Sequence, residues 1–261
     1  MNSTVEKSKC TYMDASKKEI FDLSINDIDY NFIYDQISLS LKSKKKLIIN
    51  YANANSIRLV KKNLSLKNAL LEADIVHSDG IGIWAASHLL KNSNLNYRFN
   101  FTDCSIKFLN DCEKNGWSLF ILGGTDELLS LAKENIKKGF PNLNIAGSLD
   151  GYHNLNTDSC VKFINSKSPV ILWVGMGTPK QELWIYKNKD KLECRVIQSV
   201  GDLITYIAGK KSRGPIIIRK LGFEWFIRFL RHPIKYFNRY IIGIPVFAYL
   251  LILEVYKKRY K

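Results

Sequence analysis

The 261-residue chain is 46% hydrophobic and 24% charged, with a formal net charge of +15. That composition excludes a disordered chain and supplies the apolar material for one substantial core. Five cysteines, Cys10, Cys104, Cys112, Cys160 and Cys194, are scattered without paired metal-ligand spacing, which argues against a disulfide framework and fits a reducing, cytoplasmic setting.

The first 19 residues are polar and lack the apolar stretch of a secretory leader, so retention inside the cell is expected. From about residue 20 to residue 207 short apolar segments alternate with amphipathic ones. This predicts an α/β fold with a Rossmann-like, largely parallel sheet. Strands are expected at 20–23, 46–51, 75–77, 117–122, 144–148, 170–174 and 195–199, with helices between them. Asn26 or Asp27 is placed to cap the first helix, where Ile28, Phe32, Ile33 and Ile37 recur at helical spacing. Thr125 or Asp126 opens another, closed by Gly139.

A boundary is expected near 209–215, where Gly209, Gly214 and Pro215 interrupt the pattern. It divides an α/β core, 1–209, from a basic, partly amphipathic helical appendage, 210–261. The appendage carries 13 of the 39 basic residues and 2 of the 24 acidic ones. Trp225, Phe226, Phe229 and Leu230 alternate there with Arg228, Arg231 and Lys235, followed by Arg239, Tyr240 and an apolar run at 241–253. Gly243 and Pro245 interrupt that run, and it falls short of the ~20 apolar residues of a spanning helix. It is therefore expected to lie in a membrane interface, basic groups on anionic headgroups contributing about 1 kcal/mol each. An ordinary packing helix with solvated charges, or a nucleic-acid surface unaccompanied by any known motif, are the other readings. A homo-oligomer burying the apolar run between subunits stays open.

The segment Val170-Ile171-Leu172-Trp173-Val174-Gly175-Met176-Gly177-Thr178-Pro179-Lys180-Gln181-Glu182 reads as strand, turn and helix, with Pro179 at the first helical position and Thr178 as cap. Glycines at such a turn let a ligand approach the backbone, and the helix start offers N–H groups to a diphosphate. A purely conformational role for the glycines is the alternative. Upstream lie Asp74 to Gly82, Arg98 with Thr102-Asp103, Gly123-Gly124 and Asp150-Gly151-Tyr152; downstream lie Gly201, Gly209, Arg213-Gly214-Pro215 and Gly222-Phe223-Glu224-Trp225 with Arg228.

In that order and spacing the motifs resemble the bacterial WecG/TagA/CpsF glycosyltransferases, which include the teichoic-acid N-acetylmannosaminyltransferase and the enterobacterial common antigen N-acetylmannosaminuronyltransferase. The likeness runs from about residue 20 to residue 240. Gly-x-Gly-Thr-Pro-Lys-Gln-Glu and Gly-x-Glu-Trp are its specific parts.

Glycosyl transfer from a nucleotide sugar needs a base for the acceptor hydroxyl and cations or dipoles for the departing diphosphate. Asp79, following a short strand and preceding Gly80, sits where strand ends deliver side chains into an α/β crevice. The resemblance points to the same residue as catalytic aspartate; capping the helix from Ile81 is its other reading. Arg98 is the candidate cation for the diphosphate or an acceptor phosphate, because guanidinium pairs bidentately with phosphate oxygens; a plain surface arginine is its other reading. Asp103 is read as a cap of the helix through Ile106, Leu109 and Cys112, or as a substrate contact. Lys180 and Gln181 are candidate donor contacts, and the resemblance favours Gln181. It also matches Asn53 to a family asparagine, and Arg228, Lys235 and Arg239 to basic positions thought to close over the site at the membrane. The turns at Gly123-Gly124 and Gly175-Gly177 are expected to frame uridine diphosphate, and Tyr152 to stack on the base or fill the core edge.

Phe101, Asp202 and Thr205 depart from the family pattern, which implies a reshaped sugar pocket. The Asp27-Ile28-Asp29 pair opens a predicted helix and the four histidines do not cluster, so neither a metal nor a cofactor is expected. The reading is a metal-independent, inverting transferase moving a sugar from a UDP donor to a polyprenyl-diphosphate-linked saccharide, peripheral on the inner membrane face. A non-catalytic, membrane-docked nucleotide-sugar-binding regulator and a basic nucleic-acid-binding module are the alternatives.

Overall fold

The computed structural model describes residues 16–151, 158–212 and 214–259. Tyr152 and Cys10 lie outside them. The strand expected at 20–23 is instead a turn. β1 (Lys17–Ile20) and β2 (Leu23–Asn26) form an antiparallel hairpin, reversed by Phe21 and Asp22 at φ 53° and 59°. Two consecutive left-handed residues match the twist of a tight hairpin, and the Phe21 ring is held by Phe247, 5.4 Å away between centroids. α1 (Tyr30–Ser43) is capped by Asp29, which accepts from the Phe32 N–H at 2.9 Å. Asp27, expected as cap, accepts from the Asn96 and Tyr97 N–H groups instead.

The alternation then proceeds through β3 (Leu47–Ala52), α2 (Ala54–Val60), α3 (Leu64–Leu71), β4 (Ile75–Ser78), α4 (Ile81–Leu89) and α5 (Phe101–Asn115). β5 (Leu119–Leu122), α6 (Asp126–Gly139), β6 (Ile145–Leu149) and α7 (Asp158–Ser166) follow. β7 (Ile171–Val174), α8 (Lys180–Asn188), β8 (Val196–Ser199) and α9 (Leu203–Ile207) complete the sheet region. Thr125 caps α6, accepting from the Leu128 N–H.

The strands run in the order β1-β2-β4-β3-β8-β7-β5-β6, parallel apart from β1. Parallel strands need cover on both faces. Leu47, Ile49, Leu119, Ile121, Ile171, Trp173 and Val196 pack with α1, α5, α6 and α9 on one side. Their neighbours Ile48, Phe120, Leu122, Leu172, Val174 and Ile197 pack with α7 and α8 on the other. The hairpin, α2, α3 and α4 enclose a further cluster on Ala52 and Val76.

After Gly209 the chain is helical: α10 (Ile216–Lys220), α11 (Glu224–Arg231), α12 (Pro233–Phe237), a π-helical turn (Asn238–Ile242) and α13 (Gly243–Arg259). The break expected at Gly243 and Pro245 does not occur. Pro233–Arg259 is one helix of 27 residues, about 40 Å long at 1.5 Å per residue. The π-helical turn ends at Ile242, and Pro245 falls in the first turn of α13, where a missing backbone N–H is tolerated. By length and composition this helix is sufficient to cross a membrane, which corrects the shorter run read from sequence. One side of it is nevertheless committed to the core. Phe247 is buried, and Leu250, Leu251 and Val255 pack beside it. Lys257 Nζ donates to Asp22 Oδ1 at 2.7 Å and Lys258 Nζ to Ser93 Oγ at 2.6 Å. On the outward side Tyr249, Ile252, Leu253 and Tyr256 are exposed, as are Phe226, Leu230, Ile234 and Phe237 before them.

Candidate active site

Asp79 follows β4 directly. Its N–H donates to Ala52 O at 2.8 Å, continuing the pairing with β3 beyond the last strand residue. Gly80 then turns the chain at φ 80°, ψ 177° and occupies the cap position of α4 with no side-chain cap bond. The Asp79 carboxylate is thus not spent on capping the helix, and it lines two adjoining chambers at the ends of β3, β4 and β8. The larger is about 780 Å³. The smaller, a polar recess, is about 130 Å³. Asn53, Asn55, Asp79, Asn100, Arg228 and Arg239 line both.

The helices after Gly209 supply the far wall of the larger chamber, through Arg219, Trp225, Arg228, Arg239, Tyr240 and Phe247. Polar ties hold that wall to the sheet region. Arg98 Nη2 donates to Arg219 O at 2.7 Å, and Arg219 Nη1 to Asp103 Oδ1 at 2.9 Å. Lys211 Nζ donates to Asp202 Oδ2 at 2.5 Å and to the Tyr236 hydroxyl at 2.9 Å. Burial works to raise the Asp202 carboxyl, but Lys211, with Arg228 and Arg239, outweighs it and holds the group below the usual carboxylate range. Arg228 pairs with Glu224 and lies 5.7 Å from the Tyr206 ring centroid. Burial opposes its charge, yet Tyr206 and Glu224 overcome this and raise it above the ordinary arginine value. Arg239 lies 5.7 Å from the Tyr240 ring centroid.

The family model for the WecG/TagA/CpsF glycosyl transferases matches residues 18–261. The chain belongs to that family. Among its relatives are the N-acetylglucosaminyldiphosphoundecaprenol N-acetyl-beta-D-mannosaminyltransferases of Staphylococcus aureus strains MW2, NCTC 8325 and COL. Each is 32% identical over 212 residues, covering 80% of either chain. The protein is accordingly a glycosyltransferase.

Within this WecG/TagA/CpsF member the motif residues divide between the chambers and the packing behind them. Arg98 and Asp103 line the larger chamber. The cap of α5 is Asn100, accepting from the Thr102 N–H at 2.9 Å; Asp103, in the first turn, serves the Arg219 tie and is not the cap. Asn53 lines both chambers while capping α2 through the Ser56 N–H at 3.1 Å.

Gln181 lines neither chamber and is fully buried. Its Oε1 accepts from the Gly177 and Gly201 N–H groups, both at 3.1 Å, and its Nε2 donates to Glu182 Oε1 at 2.8 Å. It therefore fastens the turn after β7 to the turn after β8 and makes no approach to a chamber. Thr178 Oγ1 also donates to Glu182 Oε1, at 2.8 Å. Thr178 does not cap, and Pro179, joined by a cis peptide, is the residue before α8 and not its first. Burial raises the Glu182 carboxyl above its ordinary value.

Lys180 is exposed and lies outside both chambers, as does Lys235, whose Nζ sits 5.8 Å from the Tyr236 ring centroid. Of the glycines, Gly177 lines the recess. Gly123, Gly124 and Gly175 line neither chamber. Gly123 is at φ +127°, and a Cβ on it would lie 2.4 Å from Gly175 O. The missing side chain there serves the close approach of two turns. Tyr51, Ser199 and Tyr206 line the recess and were not singled out by motif; His77, which also lines it, lies within the motif block at 74–82 and was read only as one of four unclustered histidines. Tyr51 and His77 are register partners near the ends of β3 and β4, so the strand-end rule that found Asp79 also applied to them.

Proposed function

We propose that this glycosyltransferase moves a sugar from a UDP-sugar to a polyprenyl-diphosphate-linked saccharide, with inversion, in the synthesis of a surface polysaccharide. The observation that carries the reading is the position of Asp79 on the wall shared by two chambers of unequal size. Inversion in one displacement requires the acceptor hydroxyl and the departing diphosphate on opposite faces of the anomeric carbon, with a base beside the hydroxyl. A donor sugar in the recess and an acceptor in the larger chamber meet at Asp79, whose carboxylate takes the hydroxyl proton as the new bond forms. Arg98, Arg228 and Arg239 supply positive charge for the diphosphates. The acceptor named for the staphylococcal relatives, a diphosphoundecaprenol-linked N-acetylglucosamine, fits the larger chamber, which has charged walls at Arg98 and Arg219 and apolar ones at Ile81, Ile244 and Phe247.

Residues 1–209 form the nucleotide-sugar-binding core in this reading, and 210–261 the membrane-associating part, peripheral on the inner membrane face. The exposed Phe226, Leu230, Ile234 and Phe237 side chains stand among basic residues, a combination suited to an anionic lipid surface. Release of UDP from a panel of UDP-sugars, with a short-chain polyprenyl-diphosphate-N-acetylglucosamine as acceptor, tests the reading. One donor is expected to give acceptor-dependent release, reduced about 100- to 10,000-fold in Asp79→Asn, the range of a lost general base. Near-normal turnover by that variant, shown folded by circular dichroism, removes Asp79 from the role of base.

A further inference from the structure

Arg58 lies on α2, outside both chambers, and its guanidinium joins the sheet region to the long C-terminal helix. Nη2 donates to Asn55 Oδ1, one turn earlier in α2, at 3.0 Å. Nη1 donates to Asn238 Oδ1 at 3.2 Å, across 180 residues of sequence. Nε is shut off from solvent with no hydrogen-bond partner among the described residues, and a Cβ added to Gly243 would lie 3.8 Å from it. A guanidinium is planar, donates in fixed directions and keeps its charge, so a bridge of this kind sets an orientation as well as a distance.

What the bridge orients follows from the place of Asn238. It opens the π-helical turn Asn238–Ile242 and lines neither chamber. The next residue, Arg239, lines both, as do Asn55 and Asp79. A π-helical turn fits more residues into one turn than an α-helix does, so its side chains leave the axis in directions that a regular helix would not give them; such turns are rare and concentrate at functional sites. The other polar ties of the far wall end elsewhere. Arg98 and Asp103 hold Arg219, and Lys211 joins Tyr236 to Asp202. The Arg58 bridge reaches the π-helical turn itself.

A cation held in place before a ligand arrives binds a diphosphate without the cost of ordering a long side chain at that moment. We infer that Arg58 is a positioning residue: it touches no substrate, and through Asn238 it holds Arg239 on the wall shared by the two chambers, in register with the diphosphate of the nucleotide. This rests on the transferase reading above, which supplies the diphosphate, and adds to it a residue outside the chambers on which nucleotide binding depends.

The test is calorimetric binding of UDP to wild type, Arg58→Gln, Asn238→Ala, Arg239→Gln and the double variant Asn238→Ala with Arg239→Gln, each shown folded by circular dichroism. Asn238 is exposed and Ala suits a helix, so Asn238→Ala breaks the bridge from its far end even where Arg58→Gln fails to fold. Arg58→Gln and Asn238→Ala are each expected to weaken UDP about tenfold, the order of one hydrogen bond to a charged group. In the Arg239→Gln background, Asn238→Ala is expected to weaken it by less than about twofold, because the side chain that the bridge positions is gone. Unchanged UDP affinity in Asn238→Ala overturns the inference. The same fold-loss in both backgrounds also overturns it, since a general loosening of the helix gives that result. Turnover measured in parallel separates the two readings. A protein that shows the expected dependence in UDP binding but transfers no sugar keeps the positioning role and refutes the transferase. Sugar transfer by an Asn238→Ala protein that binds UDP as wild type does refutes the positioning role and leaves the transferase intact. A wild type that binds no UDP refutes both.

Discussion

Replacing Gln181 by Ala separates holding from chemistry at the residue that the motif singles out. Its carboxamide accepts from two backbone N–H groups, Gly177 and Gly201, and donates to Glu182, all inside the fold. Each buried donor left unpaired costs about 1–3 kcal/mol. The Gly201 N–H is buried whereas the Gly177 N–H is partly so and regains some hydration, which puts the expected loss at about 3 kcal/mol. For a chain of this size each kcal/mol moves Tm by about 2–4 °C, so the variant should melt about 6–12 °C below wild type. Differential scanning fluorimetry without ligand reads this directly. Because Gly177 and Gly201 both line the recess, UDP-sugar affinity should fall along with stability. A variant with unchanged Tm and donor affinity but lost turnover would refute the argument, since it would show the amide acting on the reaction itself.

The Glu182→Gln exchange should change the pH dependence of stability. Burial raises the Glu182 carboxyl from the ordinary value near 4.5, so the folded state holds that proton more tightly than the unfolded chain. The resulting contribution is complete below about pH 4.5 and is lost as pH rises through the folded-state value. Urea titrations should therefore show the variant gaining on wild type between pH 4.5 and pH 8; parallel curves would contradict this. For Asp202 the direction is opposite, and its partner Lys211 is raised. Asp202 is held low and Lys211 high, Asp202 and the Tyr236 hydroxyl prevailing over the burial that lowers the lysine. The pair contributes above about pH 4 and below about pH 10.4, its loss beginning as Asp202 protonates in acid. Lys211→Met should cost about 1 kcal/mol at pH 7, discounted because Asp202 is partly exposed, with the difference shrinking as pH falls below about 4; a difference that does not shrink in acid would place the effect in packing. Ile234, 94% exposed, should tolerate Asp within about 0.5 kcal/mol of stability. The same change should weaken sedimentation with anionic vesicles about tenfold, by removing roughly 1.5 kcal/mol of apolar burial; unchanged vesicle binding would move the docking face elsewhere.

The sheet was legible where its chemistry is monotonous. The runs expected at 46–51, 170–174 and 195–199 fall within a residue of Leu47–Ala52, Ile171–Val174 and Val196–Ser199, because strands buried on both faces are rich in consecutive apolar residues, unbroken in Ile171–Val174 and interrupted by Asn50 in β3 and by Gln198 and Ser199 in β8. The hairpin at Phe21 and Asp22 was not legible, since the usual signals for two left-handed residues are Asn and Gly. What holds Phe21 there is a ring supplied from residue 247, far along the chain. Asp79 could be found from a strand end followed by glycine. Gln181 could not be placed from its neighbours: beside a helix start it reads as a ligand contact, and only the arrival of Gly201, 20 residues on, turns it inward. Pro245 misled because it falls in the first turn of α13, where a proline costs little.

The far wall of the larger chamber comes from residues translated after the sheet. Among the described residues all eight strands and Asp79 precede Gly209, whereas Arg219, Trp225, Arg228, Arg239 and Phe247 follow it. At about 5–20 residues per second the stretch 210–261, roughly 50 residues, takes about 3–10 s to make. During that interval the ribosome holds a polypeptide in which Asp79 is already present and the arginine wall is not. A premature stop codon beyond position 209 would fix that interval permanently, giving a product with every strand of the sheet and a reaction chamber open on one side.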